Sequence, residues 1–140
     1  IFTVIYNILR APSFGVHASK SWICLVSSAT IFILSTYLSV NIVIPINIKI
    51  IFGIIGIILI HKNSPADTAK RPIVSPKRRR IYKLISTVIA ISFVTMSLLI
   101  ENNFFANAFI LSLLIQCVFT APTTYRICGE PYDNYKSYQP

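Results

Sequence analysis

Acidic residues are scarce: the 140-residue chain has four Asp and Glu against thirteen Lys and Arg. Charged residues of both signs make up only 12% of the chain and hydrophobic ones 54%, with a mean hydropathy of +0.68. That balance excludes an ordinary soluble domain. The charge present is confined to short segments between apolar runs. This excludes a nucleic-acid binder, whose basic face would be spread over a soluble fold. Cys24, Cys117 and Cys128 show no regular spacing, so neither a disulfide framework nor a zinc motif is expected, and no metal or cofactor is implied. No cleavable signal peptide and no internal repeat can be recognised. The apolar runs hold no Asp, Glu, Arg or His near their midpoints, the usual mark of an ion or substrate path.

What is there is an all-α integral membrane protein. Residues 22–41, 43–60, 81–100 and 104–120 are apolar segments near the ~20 residues that cross a bilayer as a helix. In the second, the many β-branched residues still mean helix, because an open strand cannot survive in lipid. Ile1–Leu9 is too short to span and reads as the end of a preceding helix, with a native N-terminal segment expected to be missing. Gly53 and Gly56 offer a place for another helix to approach closely. Residues 61–80 form a basic connection and 121–140 a polar tail, expected to be poorly ordered. Four spans put every Lys and Arg except Lys49 on one side of the membrane. The positive-inside rule makes that side cytoplasmic, where thiols stay reduced.

One connection carries a candidate for chemistry. His17 and Cys24 lie seven residues apart where a polar segment enters the first long apolar run. A His beside a Cys can generate a thiolate and shuttle its proton. Ser21 is a plausible N-cap, which would make Cys24 the third helical residue, where the helix dipole favours thiolate. One continuous helix through both residues would hold them roughly 10 Å apart along the axis, too far for proton transfer. The helix must therefore start after His17, at Ser19 or Ser21, with Pro12 and Gly15 breaking the preceding one. The alternative is that His17 merely sits at the interface and Cys24 packs as a small apolar residue.

The string Arg10…Phe14-Gly15-Val16-His17-Ala18…Cys24, followed by Pro65-Ala66-Asp67-Thr68-Ala69-Lys70-Arg71-Pro72-Ile73, resembles the accessory gene regulator B (AgrB) family. These are bacterial membrane cysteine endopeptidases of quorum sensing. Phe14 departs from the Gly of many relatives. The resemblance implies that Cys24 is the nucleophile and His17 its base. It also implies that an AgrD-like propeptide is cut through a Cys24 thioester and cyclised to a thiolactone or lactone, in the bacterial cell membrane. Arg10 then holds a substrate carboxylate, or is only a snorkelling interface residue. Gly15 serves backbone geometry or close substrate approach. Asp67 either orients His17 as a third catalytic member or, the preferred reading, caps a helix or pairs with Lys70 or Arg71. Lys70, Arg71, Arg78, Arg79 and Arg80 are candidates for binding the propeptide's acidic tail or anionic lipid. Gln116 could bond between helices, Cys117 is expected to be packing and Cys128 a bystander, and close-packing small residues make a homodimer reasonable. The competing class is a non-catalytic membrane protein acting as a peptide transporter or export scaffold.

Overall fold

The computed structural model describes residues 1–17 and 20–138. The order of elements is α1 (Phe2–Ser13), α2 (Ser21–Asn41), α3 (Ile46–Asn63), α4 (Pro76–Leu99), α5 (Asn103–Thr120), α6 (Pro122–Ile127) and a short 3-10 helix, Asn134–Tyr138. Among the described residues there is no strand, only isolated bridges. Helices α2, α3, α4 and α5 are each long and apolar enough to cross a membrane. Their outward apolar side chains, such as Leu25 and Val26 on α2, Ile54 and Ile58 on α3, and Leu84 and Val88 on α4, remain exposed. So large an apolar surface suits lipid rather than water.

Helix α5 is the hub and packs against α1, α2, α3, α4 and α6. Two glycines of α3 let its neighbours close in. A Cβ on Gly53 would stand 2.7 Å from the Val94 side chain, and one on Gly56 would stand 2.7 Å from the Leu113 side chain, so side chains of α4 and α5 pack directly onto the α3 backbone. Helix α1 is amphipathic: Phe2, Ile5, Tyr6 and Leu9 form one buried stripe at helical spacing. Tyr6 sets its ring edge-on to Phe32 of α2, with centroids 5.3 Å apart.

Several helix boundaries differ from those expected. Helix α1 runs through Pro12, since a proline in the last turn removes only one hydrogen bond. It ends where Phe14 turns left-handed at φ 60° and returns its N–H to the Arg10 carbonyl. Helix α3 runs on to Asn63, and α4 starts at Pro76, capped by the Ser75 hydroxyl and helped by a proline in its first turn. Arg78, Arg79 and Arg80 are therefore helical residues rather than part of a loop. Through Tyr138 the tail is folded against the bundle rather than loose. Tyr125 is fully buried, and its hydroxyl donates to the carbonyls of Ala66 (2.8 Å) and Asp67 (3.0 Å).

Candidate active site

Three connections meet at one end of the bundle: the segment after α1, the α3–α4 connection, and the tail. The first is fastened by its backbone. The Gly15 N–H donates to Ala66 O (3.0 Å), the Ala66 N–H to Ser13 O (2.9 Å), and the Val16 N–H to Phe119 O (3.0 Å). From α5, the Gln116 amide donates to the Ser13 hydroxyl at 2.7 Å and also to the Phe14 carbonyl. A polar side chain inside an apolar helix thus ties the end of α1 in place. Gly15 is required twice over. Its φ of +133° is foreign to side-chain-bearing residues, and a Cβ would sit 3.1 Å from the Phe119 carbonyl oxygen. Phe14 keeps its positive φ (60°, with ψ −140°) without being Gly, at a cost of roughly 1–3 kcal/mol, and its ring packs edge-on against Tyr82, with centroids 5.3 Å apart.

His17 follows directly and precedes α2. Ala18 and Ser19, two residues considered in the sequence for the family string and the helix start, lie outside the described residues. Helix α2 begins at Ser21 with Lys20, not Ser21, at the N-cap, and no side-chain cap is present among the described residues. Lys20 has extended dihedrals while Ser21 is already helical, so Cys24 becomes the fourth helical residue. The Cys24 N–H is spent on the Lys20 carbonyl at 3.1 Å. The amides of Ser21, Trp22 and Ile23, ahead of that first bond, are the ones left to point beyond the helix end.

His17 and Cys24 line the same cavity of about 760 Å³, together with Arg10, Gly15, Lys70, Arg71 and Glu130. No hydrogen bond joins His17 to Cys24 among the described residues. The imidazole instead faces Arg10, with one guanidinium nitrogen 3.2 Å from Nε2 and 3.5 Å from Nδ1. The other guanidinium nitrogen donates to the Tyr6 hydroxyl at 2.7 Å, and the group lies 5.5 Å from the centre of the Phe119 ring. Partial burial, then the charges of Arg10, Arg71 and Lys70, hold His17 below its ordinary pKa. At neutral pH it is an uncharged base, so the positive charge around Cys24 comes from Arg10, Lys70 and Arg71.

The preferred reading of Asp67 as structural describes its surroundings, but with other partners. Its carboxylate is buried and accepts from the N–H groups of Ile73 (3.1 Å), Asn134 (3.2 Å) and Tyr135 (3.0 Å). It pairs with Arg79 at 3.5 Å; no hydrogen bond or ion pair of Asp67 with Lys70, Arg71 or His17 is present among the described residues. Backbone donors and one guanidinium saturate it, so it can be charged and buried at once. By drawing in Ile73 it sets the course of the loop that delivers Lys70 and Arg71 to the cavity. Arg79 also stacks over Tyr135, 3.4 Å from the ring centre. Arg80 lines a different cavity, and Arg78 lies exposed on the first turn of α4.

Two site features were not foreseen. Glu130 reaches the cavity from a tail expected to be loose. The Tyr125–Asp67–Asn134 cluster fixes that tail, its only sequence signal being one acid amid basic connections facing a tyrosine-rich end. Cys117 is buried and Cys128 exposed. His61 bonds to Thr87 (3.1 Å) between α3 and α4.

The model of the family described as Accessory gene regulator B matches residues 1–120. The chain belongs to the accessory gene regulator B family. It is 27% identical over 139 residues to a protein of Clostridium acetobutylicum named AgrB-like, covering 99% of this chain and 66% of that protein. It is 30% identical over 136 residues to a Listeria monocytogenes protein of the same name, covering 96% of the chain and 66% of the relative. A Staphylococcus aureus protein named accessory gene regulator protein B is 30% identical over 117 residues, or 84% of the chain and 62% of that protein. The chain thus spans about two thirds of the length of these relatives. No solved structure matches it. The family match stops at residue 120, so the tail that clasps Asp67 lies beyond it.

Proposed function

We propose that this chain is the membrane-embedded cysteine endopeptidase of a quorum-sensing system, cutting an AgrD-like propeptide at the cytoplasmic face. The observation that carries the reading is the cavity shared by Cys24, in the first turn of a span, and His17, in the fastened connection before it. Family membership supports it.

The Cys24 sulfur attacks the scissile carbonyl as neutral His17 accepts the thiol proton. The S–C bond forms, the C–N bond breaks, and His17 returns the proton to the leaving amine. The free amides at the start of α2 are the natural donors to the oxyanion. A propeptide Cys or Ser then attacks the thioester, restoring the Cys24 thiol and closing the ring. The exchange of thioester for thiolactone is close to isoenergetic, so positioning and exclusion of water dominate. Arg10, Lys70 and Arg71 suit carboxylates of the substrate.

The test is incubation of the purified full-length protein with propeptide, read by intact-mass spectrometry. A hydroxylamine-labile acyl adduct on Cys24 is expected. Cys24→Ser and His17→Ala should each reduce cleavage by about 10³-fold or more, and the double variant should be little worse than either, because the pair acts as a unit. Cys117→Ala and Cys128→Ala should keep most activity. Cleavage by Cys24→Ser, or its loss in a folded Cys128→Ala, overturns the assignment and leaves the export scaffold as the reading.

A further inference from the structure

On the same end of the bundle, a second cavity of about 420 Å³ opens between the end of α3, the start of α4 and the tail. It is lined by Lys62, Arg79, Arg80 and Lys83, with Tyr132 and Asp133 contributed by the tail. Two of its charges are already answered: Arg79 pairs with Asp67 (3.5 Å) and Asp133 with Lys136 (2.6 Å). Lys62, Arg80 and Lys83 have no acidic partner among the described residues, so three cations from two helices face one space. The walls are built rather than fluid. Ser64 donates to the Ser86 hydroxyl at 2.8 Å, His61 meets Thr87 at 3.1 Å, and the tail is held by its bonds to Asp67.

The surroundings choose between possible anions. Beyond these cations along the same two helices, Ile58, Leu59, Leu84 and Val88 remain exposed. The cavity therefore sits where a polar connection gives way to lipid-facing surface, at the depth of phospholipid headgroups. We propose that this cavity binds a phosphate-bearing anion, supplied by the headgroup of an acidic phospholipid whose acyl chains lie along α3 and α4. The tail, which contributes Tyr132 and Asp133 to the cavity, closes over the headgroup. The inference does not rest on the peptidase reading and uses no residue of the Cys24 cavity.

Native mass spectrometry of the full chain in detergent tests it, with phosphatidylglycerol, phosphatidylcholine and soluble glycerol phosphate as separate probes. Phosphatidylglycerol is expected to be retained and phosphatidylcholine lost. Arg80→Gln with Lys83→Gln should weaken retention about 30-fold, from roughly 1 kcal/mol per basic group. Lys77→Gln with Arg126→Gln removes as much charge outside the cavity and should change little. Arg80→Glu alone, at an exposed side chain, must also weaken retention, which guards against a misfolded double variant. Equal losses in the cavity and control variants overturn the site. Glycerol phosphate bound while phosphatidylglycerol is not retained overturns the lipid as the source of the anion. Binding of an acidic peptide through Arg80 and Lys83, with no lipid retained, overturns the proposal in favour of a peptide partner.

Discussion

The two halves of the candidate site are held very differently. His17 hangs from a segment fixed on three sides, by α5 through Gln116 and Phe119, by the α3–α4 connection through Ala66, and by α1 itself. Cys24 rides on α2, whose buried residues are Ser35 and Ser39, more than two turns away. The Asn107 amide of α5 grips α2 only near its far end, through the carbonyls of Ser39 (3.3 Å) and Ile42 (2.5 Å). His17 is thus anchored while Cys24, the proposed nucleophile, stands at the lightly packed end of a helix pinned at the other. Such an arrangement suits the proposed entry of a peptide between them.

The comparison breaks most severely at Asp67. Asp67→Ala leaves Arg79 and several backbone donors without their acceptor, and should cost about 3–5 kcal/mol. Thermal unfolding in detergent should register the loss, and protease sensitivity should rise first in residues 121–138. A variant as stable as the parent, with its tail still protected, would mean the anchored side does not depend on this carboxylate.

A smaller effect is expected from Gly56→Ala, which pushes a methyl group against Leu113 on the hub helix. Overpacking of this kind costs typically 1–3 kcal/mol. The same measurement on Leu25→Ala, at an exposed position of α2 near Cys24, should move the midpoint far less. Equal losses at the two positions would erase the contrast between a packed hub and a lightly held α2.

The finest probe is pH. In the proposed mechanism His17 must be neutral to accept the thiol proton, so activity is expected above its pKa in the folded protein and should fall as pH drops through it. Burial and the neighbouring cations lower that pKa, which puts the acid limb of cleavage below the ordinary value of about 6.5. Arg10→Gln removes one of those cations and should move the limb upward, toward 6.5. A pH–rate profile of the variant that keeps or lowers the limb would show that Arg10 does not set the charge state of His17.

Much was legible in the chain itself. Hydropathy marks the spans because a bilayer demands a sustained apolar run whatever the neighbours are. The segment from Arg10 to Cys24 is readable as a unit, because Gly15 and the onset of an apolar run mark a break between the helix before His17 and the helix bearing Cys24, although Pro12 itself lies inside α1. The alternatives left open for Asp67 were not decidable at that level. A lone charge in a basic connection has many possible partners in sequence, and only distance selects among them.

Composition and order determined that this is a helical membrane protein, with its basic connections on one side and a His and a Cys at a helix entrance. The tertiary structure decided which partners those residues have: Arg10 against His17, Asp67 with Arg79 and the tail, Gln116 beneath Phe14. Hydrophobic periodicity is a local property and survives in one dimension. Buried hydrogen bonds join residues up to about a hundred positions apart, as Gln116 and Ser13 are, and which donor reaches which acceptor depends on packing that no local pattern encodes.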